Sequence, residues 1–182
     1  METKKEKKVL ITSKENKIIK HIIKLKEKKY RKEYNEYIIE GVKIVKEAIE
    51  EKANIKYLII NEEVLNTELV QKHLGQELSK RDYIEVPSNI FKLISDVENP
   101  QVEKENLEEN IDFEQDVILA LDDLQDPGNL GTIIRTADSV GLNQILVSKG
   151  TVDAFSSKVI RSTMGAIFRV KIIECEKLPL TL

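Results

Sequence analysis

The chain is poor in the residues that make metal sites and cross-links. It has one cysteine, Cys175, and two histidines, His21 and His73, in 182 residues. A lone thiol forms no internal disulfide, which fits a reducing cytoplasm. With the two histidines far apart in sequence, no zinc site is expected, and each reads as a surface residue on a helix. No apolar run approaches the ~20 residues needed to span a bilayer. The opening METKKEKKVL has lysines but no apolar stretch or small-residue cleavage site, so it is not a secretory signal. A cytoplasmic location without membrane contact follows as the expectation. The chain has no internal repeat and no low-complexity segment. Its glycine-containing loop lacks a Gly-Lys-Ser/Thr ending, which excludes a P-loop, and Gly128-x-x-Gly131 is only a fragment of a dinucleotide fingerprint.

Charge is abundant but unevenly placed. Residues 1–32 carry 13 Lys/Arg against 4 Asp/Glu, a net of +9. Residues 96–126 carry 12 acidic side chains against one lysine, −11, and from 127 onward the balance is 7 against 4, +3. Phosphate binding depends on local rather than total charge, so two positive segments flanking a negative one are compatible with a nucleic-acid partner despite an overall −3. A solvated basic helix and an acidic linker account for the same pattern. With 41% hydrophobic residues the chain can bury one or two modest cores.

Thr12 and Glu15 form a capping-box signal for an amphipathic helix running to about Lys32. Ile18, Ile19, Ile22 and Ile23 lie on one face, with Lys17, Lys20, Lys24 and Lys28 largely on the other. The apolar face reads as core rather than membrane anchor, and the lysines can lie along RNA phosphates. Tyr30, Tyr34 and Tyr37 can stack on bases or pack internally. Strands are expected at 37–39, 57–60 and 83–86, with helices from Val42, from Thr67 to Ser79, and from a Ser88 cap through Ile94. This alternation predicts a small α/β domain over 1–95. Residues 96–116 read as an acidic linker with Pro100 and no strong apolar period.

In the second half, Val117–Leu121 reads as a strand buried on both faces. Asp126-Pro127-Gly128-Asn129 reads as a type II turn with Asn129 as N-cap of the next helix. Ile133, Ile134, Ala137 and Val140 recur at helical spacing until Gly141. In a parallel sheet this puts helix N-terminal amides at the carboxyl edge of a strand, where such folds usually bind ligands. A purely structural strand–helix turn remains the alternative. Further strands are expected at 144–148 and 167–173, around a helix from Phe155 to Met164 with Val159, Ile160 and Met164 facing inward. A domain over 117–182 follows.

The string D-P-G-N-L-G-T-I-I-R-T-A-D with its following S-V-G closely resembles the first motif of the SpoU-type (TrmH-like) RNA ribose methyltransferases of the SPOUT superfamily. Ser157-Lys158-Val159-Ile160-Arg161-Ser162-Thr163-Met164-Gly165-Ala166 resembles their second motif, in the right order. More weakly, Y-I-I-E-G-V-K-I-V-K-E-A resembles the start of the ribosomal-protein-like recognition domain that some members carry. Glu40 and Gly41 there either shape an RNA surface or form a tight strand-to-helix turn. The resemblance implies an α/β fold of two parts: a small recognition domain, and the first half of a parallel-sheet, Rossmann-like domain that is normally trefoil-knotted. It implies S-adenosylmethionine as methyl donor, RNA as partner, ribosomal rather than transfer RNA because of the recognition domain, and a homodimer. A non-catalytic RNA-binding protein of the same descent is the alternative.

For the site residues, the resemblance implies catalytic roles for Arg135, which the family treats as the central catalytic group, and for Asn129. It implies RNA contacts from Lys158, Arg161, Ser162 and Thr163, beside Lys17, Lys20 and Lys24. A guanidinium stays protonated in ordinary protein surroundings, so Arg135 is suited to clamp a phosphate and polarise a hydroxyl rather than to act as a literal base. An ion pair with Asp138 at i, i+3 is the structural alternative. Arg161 and Gly165 are expected on one helix face. The family's third motif, which supplies most of the cofactor pocket and completes the knot, is expected beyond Leu182. The cofactor contacts within this chain are therefore undefined.

Overall fold

The computed structural model describes residues 8–95, the main chain of 100–104, and residues 111–112, 117–176 and 178. It divides into two compact units, 1–104 and 105–182.

The first unit is built on a five-stranded mixed sheet. Its strands are β1 (Lys8–Leu10), β2 (Glu36–Glu40), β3 (Ile55–Asn61), β4 (Tyr83–Val86) and β5 (Pro100–Lys104), in spatial order β1-β4-β3-β5-β2. β4 runs parallel to β1 and β3, whereas β5 runs antiparallel to both β3 and β2. Neither β1 nor β5 is read from the sequence. β5 lies inside the stretch expected to be linker: its main chain fills the gap between two strands whose facing edges would otherwise leave amide and carbonyl groups unpaired. An acidic composition does not prevent that, because pairing of this kind uses only the backbone.

Five helices cover the sheet: α1 (Lys17–Lys24), α2 (Lys28–Tyr34), α3 (Val42–Glu50), α4 (Glu68–Leu78) and α5 (Ser88–Ile94). Ile19, Ile22 and Leu25 from the α1 region join Ile38, Ile59, Ile84, Val86 and the α5 residues Ile90, Phe91 and Ile94 in one core. The pleat sends Ile39, Leu58 and Ile60 to the opposite face. α3 and α4, which pack together, bury Val42, Val45, Ala48, Val70, Leu74 and Leu78.

The long basic helix expected from the capping box is two shorter ones. Asn16, not Thr12, caps α1, its side chain accepting the Ile18 N–H at 2.8 Å. The chain then tightens through i→i+3 bonds at Leu25, Lys26 and Glu27. The buried Arg31 of α2 donates to the Leu25 carbonyl at 2.6 Å and satisfies the end of α1. Ser88 begins α5 but caps nothing; its hydroxyl is exchanged with the side chain of Asn61. Gly41, at φ 111°, makes the tight turn between β2 and α3, and Glu40 beside it is buried.

His21 is not a surface residue. It is half-buried, its Nε2–H donating to Glu36 Oε2 at 2.6 Å, and its ring lies 4.8 Å from that of Tyr34. Lys56 donates to the other carboxylate oxygen. Burial of Glu36 alone raises its pKa, but the hydrogen bonds and charges of Lys56 and His21 outweigh this and hold it below the ordinary 4.5. Tyr37 is buried, Tyr34 packs on the core, and Tyr30 is stacked on Tyr34 at 5.9 Å with Lys24 and Lys29 at 5.3 and 5.5 Å from its ring, so all three tyrosines have internal packing roles.

The second unit is a three-stranded parallel sheet, β6 (Leu119–Leu121), β7 (Gln144–Ser148) and β8 (Lys171–Cys175), in that order. Helices α6 (Pro127–Ser139) and α7 (Ser157–Thr163) and a 3₁₀ turn (Ala166–Phe168) connect them. Leu130, Ile134, Ala137, Val159, Ile167 and Val170 pack with Ile145 and Val147, while Leu146, Ile173, Cys175 and Leu178 form a second cluster. β6 is an edge strand: Leu119 and Leu121 pack on one cluster and Ile118 and Ala120 on the other, so both faces are covered as expected, but only partly, and Val117 before it is exposed. β8 starts at Lys171 rather than 167 because the 3₁₀ turn takes up the residues before it.

A depressed carboxylate pKa means that Glu36 stabilises the fold above its unfolded pKa and ceases to do so as pH falls through its folded pKa. Glu36→Gln is expected to cost about 1–3 kcal/mol at neutral pH, the range for a buried charge-assisted hydrogen bond. The gap between variant and wild type should narrow in urea unfolding as pH drops below 4.5. A gap unchanged down to acid pH would refute this role for the carboxylate.

Candidate functional site

The carboxyl ends of β6 and β7 carry two loops that lock onto each other. Asp123, at φ 50°, donates its N–H to Ser148 Oγ at 2.8 Å. Gln125 donates from Nε2 to Asp123 Oδ1 at 2.8 Å and to the Gly150 carbonyl at 2.7 Å. The Val152 N–H reaches the Leu124 carbonyl at 2.8 Å, and the Thr151 hydroxyl approaches the Leu121 carbonyl at 3.4 Å. The sequence does not single out Gln125, Ser148 and Thr151. The signal available was a set of polar residues just after predicted strands, which says nothing of a bond across 25 residues.

From this frame α6 begins three residues earlier than expected. Asp126 is the N-cap, its Oδ1 accepting the Asn129 N–H at 2.7 Å, and Pro127 occupies the first helical position. Proline at that position has the right φ and gives up only an N–H that would be orphaned anyway, so the helix prevails over the type II turn. Gly128 is helical, without positive φ, and Asn129 is inside the first turn rather than capping it. The Asn129 side chain is exposed. Gly141, at φ 80°, ends the helix as expected.

α6 and α7 approach at backbone distance. A methyl group at Gly131 would stand 1.8 Å from Ser162 Oγ, 2.6 Å from its Cβ and 3.0 Å from its main-chain carbon. Ser162 Oγ donates to the Val159 carbonyl at 2.7 Å and lies 3.3 Å from that of Pro127. Arg135 follows Gly131 by one helical turn, Arg161 is next to Ser162, and Lys158 precedes it by one turn. Three exposed cations therefore stand within about one helical turn, along the chain, of one side or the other of this contact.

The alternative Arg135–Asp138 pair is not formed. Asp138 is held instead by Arg169, whose Nε and Nη2 lie 3.0 and 2.8 Å from its two oxygens. Arg135 is exposed and makes no hydrogen bond or ion pair with another described residue. Thr163 does not join the surface set: it is fully buried and its hydroxyl donates to the Ile160 carbonyl at 2.7 Å. Met164 is 65% exposed rather than inward, because it takes a left-handed φ of 50° just past the helix end. Gly165, at 92°, is likewise outside the helix, so Arg161 and Gly165 share no helix face. In the first unit, Lys17, Lys20 and Lys24 lie exposed along one stripe of α1, with Lys20 paired to Glu15 and Lys24 over Tyr30.

A nucleoside-sized cofactor would need convergent polar groups not already engaged. The loops after β6 and β7 spend theirs on each other. Among the described residues of the second unit, Ser156 Oγ is the one buried side-chain polar atom without a partner. Apart from the exposed Asp122, the described residues of these loops offer no convergent set of unengaged polar groups, and by themselves they do not fit an S-adenosylmethionine pocket.

Residues 16–102 match the MRM3-like substrate binding domain and residues 116–182 match the SpoU rRNA Methylase family. The chain is similar to the 23S rRNA (guanosine(2553)-2'-O)-methyltransferase RlmP of Bacillus subtilis, 32% identical over 90% of this chain and 64% of that protein. It is also similar to the mitochondrial rRNA methyltransferase 3 of Xenopus tropicalis, 32% identical over 81% of this chain and 37% of the relative. The chain thus spans less than two thirds of either curated relative. Among solved structures, the AdoMet-bound rRNA methyltransferase from Sinorhizobium meliloti superposes with a TM-score of 0.71 at 30% identity, over 92% of this chain and 64% of that one. The SpoU methyltransferase AviRb from Streptomyces viridochromogenes shares the fold, with a TM-score of 0.74 at 19% identity over 91% of this chain and 65% of its own.

Gly131→Ala is expected to destabilise the second unit by roughly 1–3 kcal/mol, overpacking exceeding the ~1 kcal/mol that alanine usually adds in a helix. Pairing it with Ser162→Gly should recover part of the loss in urea unfolding. A Gly131→Ala protein at least as stable as wild type would show that the helices do not meet this closely.

Proposed function

Since this chain belongs to the SpoU rRNA methylase family, we propose that it serves the 2′-O-methylation of a ribose in ribosomal RNA, with S-adenosylmethionine as methyl donor. The observation that carries the site is Arg135: an exposed guanidinium without a partner among the described residues, one turn from the contact on whose other side Arg161 and Lys158 lie within a turn along α7. Two parallel N–H groups of a guanidinium match two phosphate oxygens. Arg135 holds the phosphate next to the target sugar and, by its charge, lowers the pKa of the 2′-hydroxyl so that its proton leaves to phosphate or solvent. The donor supplies the methyl carbon.

Arg161 and Lys158 extend the phosphate track, and Asn129 offers an exposed amide at the start of α6. Ser162 acts mainly as the packing partner of Gly131. The first unit, taken as the recognition domain through β5, adds Lys17, Lys20 and Lys24 as a cationic stripe for RNA backbone. The exposed apolar side chains Val140 and Met164 support a homodimer. No helix among the described residues is long and apolar enough to cross a membrane; similarity to the bacterial RlmP is what supports a cytoplasmic setting.

Binding of a labelled single-stranded ribo-oligonucleotide tests the site. Arg135→Ala is expected to weaken it on the order of tenfold and to lower the salt slope by about one. Arg135→Lys should keep the slope but lose affinity. Thr163→Val should leave binding unchanged while lowering stability by about 1 kcal/mol. Wild-type affinity in Arg135→Ala would remove Arg135 from the site. For the activity itself, disrupting the gene should make one alkali-resistant linkage in ribosomal RNA labile. An unaltered linkage map would overturn the methylation reading.

A further inference from the structure

Arg135 and Asp138 stand three residues apart on α6, a spacing at which opposite charges normally meet. They do not, because Asp138 is engaged from outside the helix. Arg169, just past the 3₁₀ turn, sets Nε 3.0 and 3.1 Å from the two carboxylate oxygens and Nη2 2.8 Å from one of them. This fork-shaped contact outcompetes a single exposed i, i+3 pair. We propose that Arg169 is a positioning residue: by occupying Asp138 it keeps Arg135 from being captured by its own helix and leaves that guanidinium available to an RNA phosphate. The inference rests on the reading of Arg135 as the phosphate-binding group.

Without Arg169, the Asp138 carboxylate has an arginine one turn away and no other described partner. Arg135 then spends part of its time paired within the helix, and a phosphate has to displace Asp138 before binding. The affinity for RNA falls by the fraction of molecules so captured. Removing the carboxylate abolishes the competitor, so a second substitution should undo the harm of the first. Loss of a merely structural ion pair behaves otherwise, since deleting either partner or both breaks the same contact.

The test compares Arg169→Ala, Asp138→Asn and the double variant of the 182-residue chain. Binding of a fluorescein-labelled single-stranded ribo-oligonucleotide is read by anisotropy at constant salt. Arg169→Ala is expected to weaken binding by about two- to fivefold, the effect of one exposed ion pair. Asp138→Asn should bind like wild type, and the double variant should return close to wild type. Equal weakening in the single Arg169 variant and the double variant would overturn the proposal, as would wild-type binding by Arg169→Ala. The Nε–H signal of Arg135 gives a readout without RNA: its hydrogen exchange should slow in Arg169→Ala and recover in the double variant. If Arg135→Ala itself binds RNA like wild type, the phosphate reading fails, and the Nε–H signal still decides whether Arg169 keeps Arg135 unpaired.

Discussion

The second unit depends on two helices touching at a point where one of them has no room for a side chain. Gly131 gives α6 no Cβ, and Ser162 of α7 fills the space that a methyl would need. Because the contact is made near the backbone, it sets the distance and the rotation of both helices together. Every exposed cation proposed to act in this unit lies about one turn or less from that point. A loosened contact would displace Arg135, Arg161 and Lys158 in concert.

Charge in both units is distributed by competition rather than by proximity in sequence. Glu36, buried at the start of β2, collects His21 and Lys56 from two other elements, tying the basic α1 region to the sheet. Asp138 is taken by Arg169 and so is withheld from Arg135. The same principle runs in opposite directions: in one case it consumes cations for stability, in the other it leaves one over. A cation left over on a folded surface is what a polyanion can use, since pairing with phosphate then costs no internal bond.

Much of the architecture is legible without coordinates. β4 and β7 have the expected bounds, Tyr83–Val86 and Gln144–Ser148, because short apolar runs flanked by polar residues leave little room for another reading. The buried stripe Val42, Val45, Ala48 and Ile49 follows from helical spacing alone. Misreadings occur at element ends. Asp126 and Asn129 are comparably good caps, and only the position of Pro127 decides between them. Thr12 with Glu15 forms a plausible box, yet Asn16 is the residue whose oxygen meets an amide. β5 escapes detection because its pairing uses main-chain groups, which any sequence possesses.

The amino-acid string by itself determined the succession of strands and helices, the two motifs that reveal descent, and the clustering of positive charge at the start of the chain. These are local properties, decided by side-chain spacing within a few residues. Only the tertiary structure decided that Thr163 is buried while its neighbour Ser162 packs against a glycine, that His21 is a partner of Glu36, and that Arg169 is bound while Arg135 has no partner among the described residues. Whether a group is buried or paired depends on competitors that lie 15 to 31 residues away along the chain and arrive only when it folds.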